Sequence, residues 1–360
     1  MRVGLAATLV DGPESGAGRR WLALAEALAA LGVEVVLFLP ERARMRPRNV
    51  EVAVLPIPSS PTAVRVAAER IHLPRAIRKA GIHLLDTDHY PIPPVPKGTR
   101  LVATVHDLRA LADVPGIPLH RRLLARRIYR SSVLRADAVV AVSAFTASEI
   151  ERRLGIPRDR VAVVPNAADH LMPPAFPPPE ADFLLHVGHV EPRKNLGVLV
   201  EALSLLGRRG SRPRLLLVGR EGGKGTCLRL RRLAERIGVG DRLEFAGART
   251  DAELPTLYAS CLAAVFPSLY EGFGIPLLEA MRCGAPVLAS AAGAHADVAG
   301  DAALLFDPSD PEELAARIAS VAADPGLRAR LREAGRRRAA KFSWRDSAQR
   351  LAEVYRSLAG

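Results

Sequence analysis

Lysine, asparagine and glutamine are nearly missing from this 360-residue chain. Five of its 51 basic residues are lysine, and it has three asparagines and one glutamine. Ala, Arg, Gly and Pro stand in their place, as a GC-rich genome produces, so Lys194, Asn195 and Asn166 are more informative than they would be elsewhere. Cysteine is scarce as well. Cys227, Cys261 and Cys283 show no C-x-x-C or C-x-x-H spacing, which argues against structural zinc, and an odd, unpaired set fits a reducing cytoplasm. Aromatic residues are 4% and no nucleic-acid-binding motif accompanies the basic excess, so nucleic acid is not an expected partner. No apolar run approaches the ~20 residues of a membrane span. The start of the chain lacks a leader pattern, so no signal peptide is expected. With 49% hydrophobic and 25% charged residues, the composition excludes a disordered chain, a fibre and a disulfide-stapled mini-protein. The length calls for two domains, or three.

What is present is a regular alternation. Short apolar runs at 3–9, 33–39, 82–85, 101–105, 138–142 and 161–164 read as strands, with helical stretches such as 19–31, 118–134 and 144–154 between them. Near-continuous apolar strands alternating with helices indicate a parallel sheet covered on both faces. The alternation stops at 171–182, LMPPAFPPPEAD, where five of twelve residues are proline; such a segment is a linker. It restarts with strands at 183–187, 215–218, 243–245, 262–266 and 286–289, and the tail from 311 to 358 is helical. The expected division is residues 1–170, a linker 171–182, a second domain 183–342, and a terminal helix 343–360. In doubly wound sheets ligands bind outside the carboxyl ends of the strands.

The richest stretch is 266–290, FPSLYEGFGIPLLEAMRCGAPVLAS. A strand ends near Pro267, Glu271 lies in a glycine-rich turn, a helix starts near Pro276, and Glu279 falls about one turn into it. Exposed N–H groups at a helix start attract phosphate and carboxylates accept from sugar hydroxyls, so the pattern suits a sugar joined through phosphates to a nucleoside. It equally describes a capped helix with a solvent-facing Glu. A second stretch, 185–202, LHVGHVEPRKNLGVLVEA, places Arg193 and Lys194 in a loop between a strand and a helix. Arg offers a planar fork to phosphate oxygens and Lys a compact charge.

Glu-x7-Glu within EGFGIPLLEA, followed by MRCGAPVLAS, together with the EPRKN loop, resembles the retaining GT-B glycosyltransferases of family 4 (group 1). The first half adds the loop GPESGAGR (12–19) after the first strand, LVATVHDL (101–108), VVAVSAFTASE (139–149) and VVPNAAD (163–169). Ala167 stands where the family often has Gly. The resemblance covers nearly the whole chain and is closest to bacterial mannosyl- and rhamnosyltransferases of polysaccharide assembly. It implies an α/β fold of GT-B type: two Rossmann-like doubly wound domains facing each other across a cleft, with C-terminal helices crossing back to the first. It also implies that a hexosyl group passes, with retention, from a nucleotide sugar to a saccharide or lipid-linked saccharide, GDP-mannose being the first candidate donor. The alternatives are a UDP-sugar-dependent transferase acting on a small acceptor, and a GT-B-type sugar-nucleotide epimerase.

By the same resemblance Arg193 and Lys194 hold the diphosphate and Glu279 the ribose. Glu271 and the backbone at Phe273 and Gly274 hold the donor sugar. Gly16 and Gly18 line the sugar site from the first domain, and His106 contacts the transferred sugar, with Asp107 as its orienting neighbour. Asn166 and Arg249 are secondary candidates, and Lys224 and His89 fall on the rims of the nucleotide and acceptor regions. No cofactor or metal is expected: Asp86-Thr87-Asp88 imitates a metal-binding D-x-D but lies far from the Arg-Lys loop, whose cations neutralise the diphosphate. The formal charge of +13 gathers in 42–48, 120–135 and 328–341. An anionic membrane surface is a candidate partner for it, at the inner face of the cytoplasmic membrane, and arginine bias on solvent faces is the competing account.

Overall fold

The apolar runs become the strands of two all-parallel sheets. The computed structural model describes residues 1–12, 15–88, 90–112, 118–176, 178–223 and 225–358, so Lys224, His89 and the middle of the 12–19 loop lie outside the described residues. The chain divides into two units, Met1–Asn166 with Ser343–Gly360, and Ala167–Phe342.

The first unit runs β1 (Arg2–Ala6), α1 (Gly16–Ala30), β2 (Glu34–Pro40), β3 (Glu51–Leu55), α2 (Thr62–Lys79), β4 (Leu84–Thr87), β5 (Arg100–Val105), α3 (Leu119–Leu134), β6 (Ala138–Ala141), α4 (Ala144–Leu154) and β7 (Val161–Val163). Its sheet has the order β3-β2-β1-β4-β5-β6-β7. The second unit runs β8 (Ala181–Val187), α5 (Leu196–Arg208), β9 (Arg214–Val218), α6 (Thr226–Arg236), β10 (Leu243–Gly247), α7 (Leu254–Ser260), β11 (Cys261–Phe266), α8 (Ile275–Arg282), β12 (Val287–Ser290), α9 (His295–Ala299), β13 (Leu304–Phe306), α10 (Pro311–Ala323) and α11 (Pro325–Ala339). Its order is β10-β9-β8-β11-β12-β13. In each sheet the chain starts in the middle and reverses direction, β1/β4 and β8/β11 being the switch points where doubly wound sheets bind ligands.

Local chemistry explains the element ends. Ser15 caps α1 by accepting from the Gly18 N–H at 3.0 Å. In the SAFT stretch Ser143 caps α4 by accepting from the Thr146 N–H, and Gly155 ends that helix in the left-handed region at φ 67°. Three elements do not follow the sequence pattern. The edge strand β3 is largely exposed and begins with Glu51, β13 is three residues long, and α2 continues through Pro74. The helical tail comes in three pieces, broken at Asp324-Pro325 and before Trp344. The last piece, α12 (Trp344–Ser357), belongs to the first unit. Trp344, Ser347, Ala348, Leu351, Ala352 and Tyr355 form its buried face, at the spacing of one helical stripe. Ser347 donates to the Pro165 carbonyl at 2.8 Å and Tyr355 to Asp86 Oδ2 at 2.6 Å.

Candidate functional site

In the second unit the strand ends carry a buried charge cluster. β8 ends at Val187. Pro192–Lys194 then makes a single 3-10 turn, and Asn195, left-handed at φ 53°, turns the chain into α5. The loop after β11 approaches from the adjacent strand, with Leu269 N–H donating to the Arg193 carbonyl at 2.9 Å. Between these loops Lys194 Nζ lies 2.5 Å, Arg193 Nη1 2.8 Å and Ser268 Oγ 3.0 Å from one oxygen, Glu271 Oε1. Arg193 Nη2 also reaches Glu191 Oε1 at 2.7 Å. Burial pushes the Glu271 carboxyl up, but Lys194 and Arg193 outweigh it and hold the group well below the usual carboxylate range.

Two histidines line this cluster. Ser290 Oγ donates to the Ser268 carbonyl at 2.6 Å, so its lone pair faces His295 Nδ1, 3.3 Å away, and His295 is the donor there. The other ring edge faces Gly274, where a β-carbon would lie 3.1 Å from His295 Nε2 and where φ is 93°. Burial pushes the His295 imidazole down, Glu271 pulls it up and the two cations push it down again, to about 4. His186 donates through Nδ1 to the Val265 carbonyl at 2.8 Å, and burial with Lys194 nearby takes it down to about 3. Gly293 lets the β12 loop press on Glu271, since a β-carbon there would meet Glu271 N at 2.7 Å.

Glu279 belongs to a second cluster. It is buried in α8, with His170 Nε2 2.9 Å from Oε1 and Tyr258 donating to Oε2 at 3.2 Å. The Phe273 ring packs edge-on against Phe342, and Arg249 is exposed, 3.8 Å from Glu253.

In the first unit His106 stands at the end of β5, a quarter exposed, with Nε2 2.8 Å from Asp88 Oδ2. The neighbour anticipated to orient it, Asp107, does not: its Oδ1 accepts from the Arg109 N–H at 3.0 Å in a local turn. The D-x-D carboxylates part company. Asp86 is wholly buried and accepts from Thr104 and Tyr355, while Asp88 serves His106 and the Trp21 indole. Burial raises the Asp86 carboxyl to about 6, against the pull of the Tyr355 and Thr104 hydrogen bonds. Asn166 accepts from Arg20 Nη1 at 2.7 Å. Gly16 opens α1, and at Gly18 a β-carbon would sit 2.0 Å from the Gly12 carbonyl, so only glycine fits. The structure thus brings Arg193, Lys194 and Glu271 together, with Gly274 beside His295. Glu279 forms its own cluster, and His106, Gly16, Gly18 and Asn166 sit in the other unit.

Residues 15–170 match Glycosyltransferase Family 4, and residues 171–338 match the glycosyl transferases group 1. The O-antigen chain mannosyltransferase B of Escherichia coli is 31% identical over 271 residues, 72% of this chain and 71% of that one. The chain is a family 4 glycosyltransferase. The serotype-specific mannosyltransferase WbdA of Escherichia coli is 32% identical over 266 residues, 69% of the transferase, which spans only 32% of WbdA. The sucrose-phosphate synthase of Thermosynechococcus elongatus superposes with a TM-score of 0.84 over 99% of both chains at 23% identity, which establishes a shared GT-B fold.

Several residues around the transferase's clusters carry no local sequence signal: Ser268, His170, His186, His295 and Tyr258. Asp88 had a signal of the wrong kind, the D-x-D spacing. Of the transferase's helices among the described residues, none is long and apolar enough to cross a membrane.

Proposed function

We propose that this transferase moves a hexosyl group, mannose first among the candidates, from a nucleoside-diphosphate sugar to a saccharide or lipid-linked saccharide with retention of configuration. The observation that carries the proposal is the convergence of Arg193 and Lys194 on Glu271 at the switch point of the second sheet. A diphosphate entering there would meet two cations already desolvated and held in place, so little reorganisation is needed as negative charge develops on the leaving group. They would neutralise it in the role a metal plays elsewhere. Glu279 is the candidate ribose acceptor, presented by His170 and Tyr258. The Glu271 oxygen that takes three donors is a weak nucleophile, so a same-face ion-pair route fits it better than a covalent glycosyl-enzyme. In the first unit His106 and the Gly16–Gly18 turn are read as contacts to the transferred sugar.

Mannose is favoured because the relative at 31% identity is a mannosyltransferase. A lipid-linked acceptor places the enzyme at the inner face of the cytoplasmic membrane, and α3 supports that reading. Leu119, Leu123 and Leu124 are 62%, 57% and 59% exposed beside exposed Arg121, Arg126 and Arg127, the makings of a helix that lies on anionic lipid.

The test is a panel of GDP- and UDP-sugars labelled in the sugar, offered with isolated polysaccharide and lipid-linked acceptors. Label moving from GDP-mannose to an acceptor, with the anomeric configuration kept, supports the proposal. Label returning on the nucleotide as an epimer, or moving only from UDP-sugars, overturns its activity or its donor respectively.

A further inference from the structure

The second carboxylate of the D-x-D stretch has no part in the reading above, and its surroundings give it one. Asp88 lies just past β4, its side chain 5% exposed. Its Oδ2 accepts from the Trp21 indole N–H, on α1, at 2.9 Å and lies 2.8 Å from His106 Nε2, on the turn after β5. Trp21 is wholly buried. An indole nitrogen can only donate and a carboxylate oxygen can only accept, so the proton between Asp88 and His106 belongs to Nε2. In a neutral imidazole the other nitrogen, Nδ1, is then a bare acceptor. The ring is a quarter exposed and its Nε2 is taken by Asp88, so Nδ1 is the nitrogen left to accept from a ligand. Three elements, α1, β4 and β5, thus converge to set which nitrogen of one imidazole carries hydrogen. Second partners of this kind fix the tautomer and ring angle of functional histidines.

We infer that Asp88, braced by Trp21, is a positioning residue that holds His106 as the Nε2–H tautomer, so that Nδ1 accepts a hydrogen bond from a hydroxyl of the bound sugar. This rests on the proposed contact between His106 and the transferred sugar. The geometry also explains why Asp86 and Asp88 differ. Asp86 faces Thr104 and Tyr355 in the core of the unit, and Asp88 faces the strand ends.

The experiment combines labelled-histidine NMR with a double-mutant cycle on the full chain. In the wild type, a 15N-bound proton on His106 Nε2 should be visible and slow to exchange. It should persist in Asp88→Asn, which keeps an acceptor oxygen, and vanish in Asp88→Ala. In transfer assays Asp88→Ala should lower kcat roughly 10- to 100-fold with the nucleotide-sugar KM unchanged, by analogy with the loss of the carboxylate behind a metal-binding histidine. Asp88→Asn should recover part of that, and Trp21→Phe should lose less than Asp88→Ala. In a His106→Ala background, Asp88→Ala should cost less than about twofold more, because coupled residues are not additive. A proton on Nδ1 instead, or losses that multiply across the cycle, would overturn the inference while leaving the transferase reading intact. Full activity in His106→Ala would remove the role of His106, and that of Asp88 with it, even if the NMR signal were as expected. Should Asp88→Ala fail to fold, Asp88→Asn and Trp21→Phe carry the same comparison.

Discussion

Glu271 takes Lys194, Arg193 and Ser268 on a single oxygen, so its charge braces two cations before any ligand arrives. Glu271→Gln keeps the shape and removes the charge that competes with phosphate for them. Calorimetry should show GDP binding at least as tight as wild type, while turnover falls on the order of 100-fold or more, as when a preorganised charge is lost from a site. Weaker GDP binding with unchanged turnover would contradict this role. His295 makes a prediction about pH. Burial, opposed by Glu271 and aided by the two cations, holds its folded-state pKa at about 4, below the 6.5 of the unfolded chain. The unfolded state therefore takes up the proton first, so the stability from this group is complete above pH 6.5 and drains away as pH falls toward 4. Between pH 7 and 4.5 the wild type should lose on the order of 2 kcal/mol more than His295→Gln, at about 1.4 kcal/mol per unit. Urea titrations with parallel pH curves would refute it. Arg193, Lys194 and Glu271 are legible in the sequence because each sits in a motif with its own strand–turn–helix context. Ser268 and His295 are not, because the site takes them from the ends of β11 and β12, and only the folded sheet makes those ends neighbours. Asp107 shows the same limit: adjacency in sequence points to it, and the sheet supplies Asp88 from the next strand.

At the scale of elements, Gly18 and α3 can be tested by substitution. An alanine β-carbon at Gly18 would meet the Gly12 carbonyl at 2.0 Å, a contact with backbone that no side chain can relieve. Gly18→Ala should cost about 1–3 kcal/mol, the usual range for overpacking, read as a fall in melting temperature. An unchanged melt would mean that the 7–12 loop yields freely. For α3, Leu123→Ser with Leu124→Ser should weaken binding to anionic vesicles more than to neutral ones, and spare transfer to a soluble acceptor analogue. Sedimentation that is equal for wild type and variant on anionic vesicles would rule out α3 as the lipid-facing helix. The interior strands and α4 are legible because apolar runs alternating with helical stretches announce them. The edge strand β3 is not, since a largely exposed strand has no reason to be apolar, and α2 is hidden by Pro74, which reads as a break although the helix continues through it.

At the scale of the whole molecule, the arginine excess divides into several uses. Arg328 donates to the Val321 and Ala322 carbonyls at the end of α10 and pairs with Glu180, as Arg332 does, and Arg338 caps the end of α9 through the Asp297 and Val298 carbonyls. Those members of the basic stretch 328–341 are thus structural, a division that charge counting could not make. The last helix, α12, closes the first unit. Deleting residues 343–360 would strip the Tyr355 hydroxyl from buried Asp86 and uncover the apolar face of α1. Calorimetry should then show a separate low-temperature transition for the first unit that the full chain lacks, and a single unchanged transition would contradict this. Two domains and an α/β class are legible in the alternation of runs. The return of α12 came only with the family resemblance, since one amphipathic stripe does not say which sheet it covers. The central claim, that Arg193 and Lys194 form a diphosphate site, is tested most directly by comparing calorimetric affinities for GDP against GMP, and UDP against UMP, in wild type and in the Arg193→Ala, Lys194→Ala double variant. The account predicts that wild type prefers each diphosphate by about tenfold or more, in keeping with charge-assisted bonds worth about 1.5–3 kcal/mol, and that the variant loses the preference. Equal affinity of the wild type for diphosphate and monophosphate would contradict it.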